Sequence, residues 1–159
     1  MNRVHRTWAR TFFLAAALTI TWSPLRAKSI PPDDSGSQAL EPSVSMHWKS
    51  TQPSRSRASN LMVGSTTIRI RINVLPWLRH AGRIYLVLPA QSPGRVTASW
   101  VTQGRLLPGQ LQSGSRVLVY AGPITSPFIE DVVRFQFGVD GKLLDRAFPV
   151  TYHFEMDEG

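Results

Sequence analysis

From Ser65 onward the apolar residues of this chain recur at every second position. Ile68, Ile70 and Ile72 alternate with Arg69, Arg71 and Asn73. Successive side chains of an extended strand point to opposite faces, so this period describes a sheet with one buried and one wet face. The β-branched isoleucines suit the pleat. Pro76 ends the run, Arg83 to Leu88 forms a more fully buried strand, and Pro89 closes it. Val96, Ala98 and Trp100 then alternate with Thr97, Ser99 and Val101. Gly104 and the pair Pro108-Gly109 mark turns, and Arg116 to Tyr120 is a further strand before Gly122-Pro123.

Two late segments carry the clearest pattern. Val133, Phe135, Phe137 and Val139 share one face, and so do Phe148, Val150, Tyr152, Phe154 and Met156. Asp140-Gly141 lies between them, a favoured pair for a two-residue type I′ turn. Such a hairpin pairs Val139 with Lys142 and Phe137 with Leu144, and sets Val133 opposite Phe148. The apolar faces coincide in that register. No stretch after the N-terminal segment has a helical period. Six or seven strands at spacings of roughly ten residues predict an all-β chain, an antiparallel immunoglobulin-like or fibronectin-like β-sandwich over residues 61–159. A small closed barrel is the alternative.

The N-terminus has a different character. Arg3, His5, Arg6 and Arg10 form a positive start, and the uncharged apolar stretch Thr11 to Trp22 follows. Leu25 and Ala27 occupy the two positions that a signal peptidase reads. Residues 1–27 are therefore expected to be a signal peptide. The apolar stretch is short against the roughly 20 residues that span a bilayer, so no stable membrane span is expected after processing. No cysteine follows it, which excludes a lipoprotein. Residues 28–60 are rich in Ser and Pro, with Pro31, Pro32, Pro42 and Pro53, and are expected to form a mobile leader. Within it, residues 43–50 form one island in which Val44, Met46 and Trp48 alternate with Ser45, His47 and Lys49, the period of a strand.

Charge and composition exclude more than they assign. The whole chain carries a net charge of +8, but four of its 18 basic residues (Arg3, Arg6, Arg10 and Arg26) and none of its ten acids lie in the signal segment. The processed chain is thus close to +4, with scattered arginines rather than the dense basic stripe of a nucleic-acid binder. The absence of cysteine removes disulfides, thiolate metal sites and cysteine nucleophiles. A processed chain of about 130 residues can bury enough apolar surface without them.

No catalytic motif is present: there is no nucleophile elbow, zinc-protease helix or dinucleotide fingerprint. Gly104 and Gly109 have phosphate-loop spacing, but no lysine follows, and Leu106-Leu107-Pro108 is unsuited to an amide cradle. Glu130 and Asp131 are adjacent, so on a strand they point to opposite faces and make a poor acid–base pair. They are expected to be a solvated strand start. Met46-His47 and His153 with Met156 offer copper-type ligands at poor spacing, so neither metal nor cofactor is expected. Trp77, beside Arg79 and His80, either plugs an open end of the sandwich or forms a contact hot spot.

The segment Arg105 to Tyr120 resembles, over 16 residues, the late-strand region of fimbrial subunits, but about 40 residues follow it here, so no family is assigned. The expectation is an exported, non-enzymatic protein-binding or assembly module of a bacterial envelope, periplasmic or at the cell surface. Its partner would be another envelope or surface protein, met through sheet edges and loops. Val44, Met46, Trp48, Trp77, Arg79 and His80 are the candidate partner-binding residues. An exported enzyme with a loop-built site, and a periplasmic carrier of a metal or small ligand, are the alternatives.

Overall fold

A computed structural model of the protein describes residues 29–41, 43–49, 60–90, 95–143 and 149–158. The expected signal peptide lies outside the described residues. Ten strands appear among the described residues: β1 (Ser29–Ile30), β2 (Gln38–Ala39), β3 (His47–Trp48), β4 (Leu61–Asn73), β5 (Ala81–Leu88), β6 (Val96–Thr102), β7 (Gly109–Gln112), β8 (Ser115–Pro123), β9 (Phe128–Asp140) and β10 (His153–Glu158). They form two antiparallel sheets. The smaller has the order β1-β10-β5-β8, and the larger β2-β4-β9-β6-β7, with β3 also on β4. The described chain is all-β, and no helix among the described residues is long and apolar enough to cross a membrane.

The spine is the pair β4–β9, in register from Leu61↔Asp140 to Asn73↔Phe128. The alternation in β4 sends Ile68, Ile70 and Ile72 inward, all essentially buried, and leaves Arg69 and Arg71 outside. Opposite them lie Ile84, Leu86 and Leu88 of β5, Val119 of β8, and Phe154 and Met156 of β10. A bulge between Ile84 and Tyr85 inserts an extra residue in β8, which is how the consecutive Val119 and Tyr120 are both buried. At one end Phe135 stacks on Phe137 with ring centroids 5.7 Å apart and meets Trp100 at 5.9 Å and Tyr152 at 6.0 Å.

Two connections clamp the sheets together. The loop after β6 donates Leu107 N–H to the carbonyl of Val119 in the smaller sheet. It is also fastened to the larger sheet, because the Asp131 carboxylate accepts the amides of Gln103 (3.1 Å) and Leu106 (2.8 Å). At the turn between β7 and β8, Gly114 takes φ 84°, a left-handed conformation that suits glycine, and its N–H reaches the carbonyl of Leu88.

The Asp140-Gly141 hairpin does not form. A type I′ turn needs a positive φ at both central residues, and Gly141 does not have one. Residues 141–143 make a 3-10 turn, and β10 joins the smaller sheet beside β5, with Phe154 opposite Leu86. β9 has no vacant edge for it, because β4 and β6 occupy both. The coincidence of apolar faces is still physical: the two segments meet across the interior, as Phe135 and Tyr152 do. The expected pairs with Leu144 and Phe148 lie outside the described residues.

The described residues of the Ser/Pro-rich segment pair with both sheets. β1 pairs with β10, Ser29 opposite Asp157. After Pro31-Pro32 the chain changes sheet and runs antiparallel along the edge of β4. Asp33 bridges to Asn73, the Ser37 hydroxyl accepts the Arg71 N–H at 2.9 Å, Gln38 and Ala39 pair with Arg69 and Ile68, and His47 and Trp48 pair with Val63 and Met62. The two prolines sit where a ladder must break in any case, so their missing donors cost nothing there.

Candidate functional site

The six sequence candidates fall into two groups. Val44, Met46 and Trp48 lie on the leader edge beside residues 62–64 of β4. Trp77, Arg79 and His80 follow the other end of β4, past Asn73. Eleven residues of strand separate Met62 from Asn73, about 36 Å at the usual rise. The fold does not bring the groups together.

The first group is a sheet edge. Among the described residues of 43–50, ladder pairing covers His47 and Trp48, and Lys49 N–H adds a bond to the Leu61 carbonyl. The three side chains do not share one environment. Val44 and Met46 are half-buried, with Met46 against the core, while Trp48 is 49% exposed. Gly64 explains the first two: a Cβ added there would lie 2.5 Å from Met46 Sδ and 2.6 Å from Val44 Cγ1, so only glycine admits them. Gly141 explains the third. The Trp48 ring lies directly on the Gly141 backbone, where a Cβ would collide with it. The glycine that the sequence assigns to a tight turn serves close approach instead.

The second group is an end cap. Trp77 is buried in a 3-10 turn, Leu75–Trp77, consistent with the plugging role. The corner is held by main-chain bonds from Arg79 N–H to the Ile124 carbonyl and from Ile124 N–H to the His80 carbonyl, both 2.8 Å. Arg79 takes φ 70°, which is uncommon outside glycine, and its side chain and that of His80 are exposed.

Asp131 is the residue that sequence reasoning missed. It is 6% exposed, not part of a solvated strand start, and its carboxylate gathers the amides of Gln103, Leu106 and Val132. The loop after Gly104 does build an amide cradle, but the chain's own carboxylate fills it. Glu130, on the opposite face, pairs with Arg71 at 3.1 Å in the open. The signal was in the alternation: Ile129, Asp131 and Val133 share a face.

The outer face of the smaller sheet carries a charge cluster. Arg116 stands 4.3 Å above the Tyr85 ring and bonds Glu155 at 3.0 Å and Asp157 at 3.1 Å. Burial pushes the Glu155 carboxyl up, but bonds from Arg116, Ser29 and His153 outweigh it and hold the group below its ordinary value. These groups neutralise one another, and nothing in their arrangement activates a nucleophile. Among the described residues no three His, Cys, Asp or Glu side chains gather as metal ligands. His47, His80 and His153 lie on different elements. Compared with protein-family models, curated proteins and solved structures, the chain matches none.

Proposed function

We propose that the protein is an exported, non-enzymatic protein-binding or assembly module of a bacterial envelope, periplasmic or at the cell surface, acting through its leader edge. One observation carries the reading. β4 is 13 residues long, yet its outer edge is covered by two strands of two residues each, β2 and β3, with an arch between them. The leader also bonds β4 at Asn73, Arg71, Thr67 and Leu61, so the place where another chain can add main-chain hydrogen bonds is the arch, opposite residues 64–66. The half-exposed Trp48 at the end of that edge supplies an aromatic anchor of the kind that dominates interfaces. The charge–apolar–small order of residues 1–27 supports export.

A photo-crosslinking amino acid placed at Trp48, with Gln110 on the far edge of the same sheet as control, tests this in the producing cell. The reading expects a discrete adduct with one envelope protein at position 48 and none at 110. Equal labelling at both sites, or none at either, contradicts it. N-terminal sequencing of the exported protein tests processing and is expected to begin near Lys28.

A further inference from the structure

The arch that joins β2 to β3 builds something besides an edge. Seven residues, 40–46, span the distance that four residues of β4, 64–67, cover. The surplus chain rises over the inner face of β4 at Gly64. It leaves a cleft of about 450 Å³ between the arch, the larger sheet and the approach to β10. That volume is in the range of small-ligand pockets, about 300–1,000 Å³.

The walls are apolar: Val44 and Met46 from the arch, Phe137 and Val139 from β9, and Val150 and Tyr152 before β10. Glu41, Ser43 and the Tyr152 phenol add polar groups to the lining, and Thr66 differs from them in being buried. Thr66 lies on the inner face of β4 between Gly64 and Ile68, is 5% exposed, and lines the cleft. Its Oγ1 is the one buried side-chain oxygen or nitrogen among the described residues without a hydrogen-bond partner. A buried hydroxyl left unbonded is costly, and valine would fill the same space without that cost. The hydroxyl therefore has a use if something in the cleft bonds it.

We propose that this cleft binds a neutral, mainly apolar small molecule carrying one hydrogen-bonding oxygen or nitrogen, with the Thr66 hydroxyl as its anchor. Charge sets the class. Among the described residues no Lys, Arg or His lines the cleft, and Glu41 stands at its rim, so a carboxylate or phosphate group would meet no counter-charge from them. Burial, and then the charge of Asp34, raise the Tyr152 phenol above its ordinary value, so the phenol stays uncharged and supplies no anion to hold an amine inside the cleft. The proposal stands apart from the edge-binding function and can fail without it.

The test is a titration of the isotope-labelled protein with 1-octanol and, separately, octanoate, followed by amide chemical shifts. 1-Octanol is expected to move Thr66, Ile68 and Phe137 saturably, and octanoate to need at least tenfold more. Thr66→Val keeps the shape and removes the hydroxyl. It should weaken 1-octanol at least fivefold while raising the melting temperature. Val44→Trp should fill the cleft and abolish the saturable shifts; if it does not fold, Thr66→Val decides alone. An absence of saturable shifts with 1-octanol, equal response to octanoate, or unchanged affinity in Thr66→Val each overturns the proposal. The first of these would mean that the chain's own side chains occupy the space.

Discussion

Glu130 and Asp131 are neighbours in sequence and meet opposite environments. Alternation alone puts them on opposite faces. Which face is buried follows from their companions, because Ile129 and Val133 take Asp131 inward with them. What no local pattern contains is the loop that comes to meet it from 25 residues away. Removing the carboxylate strands the buried amide of Leu106, while Gln103 N–H keeps its bond to the Val132 carbonyl, and a buried unbonded group costs about 1–3 kcal/mol. Asp131→Ala should therefore lose about 1–3 kcal/mol in urea unfolding, and Asp131→Asn less, since its amide oxygen still accepts one bond. Phe135 was legible as core from its period, and it lies among Trp100, Phe137 and Tyr152. Phe135→Ala should cost about 3–5 kcal/mol, and a loss below about 1 kcal/mol would show that the ring is not packed there.

At the scale of elements, the strands were readable and their partners were not. The isoleucine run became β4, and the phenylalanine run became β9, because period two reports which face is buried. It does not report which strand lies alongside. Asp140-Gly141 suggested an adjacent hairpin, but β9 already had two neighbours, and its apolar face met β10 across the interior. The glycine was needed for the Trp48 ring. Gly141→Val should displace that ring, shift the Trp48 indole resonance and lower stability by about 1–3 kcal/mol. An unmoved indole resonance would remove Trp48 from that contact. The prolines misled for a similar reason: they exclude central strands, yet Pro31-Pro32 mark a change of sheet within the fold.

For the whole molecule, the two sheets are joined mainly by their apolar faces, and apart from the buried Asp131 the ion pairs lie on the outside. Because Glu155 is held below its ordinary value of 4.5, its contribution to stability is complete above that pH and is lost as pH falls through the lowered value. Wild-type protein should lose urea resistance on acidification below 4.5. Arg116→Met should differ from it most near neutrality, and less in acid or at high salt. A difference independent of pH would mean that Arg116 acts by packing on Tyr85 instead. The larger claim concerns the N-terminal segment, which over its described residues pairs with both sheets and, in the proposed function, supplies the edge for a partner. Deletion of residues 28–50 tests it most directly, read by thermal melting and by sedimentation. The account predicts a melting temperature lowered by more than about 5 °C, since roughly 1 kcal/mol shifts a domain of this size by several degrees, in a protein that remains monomeric. An unchanged melting temperature would contradict it.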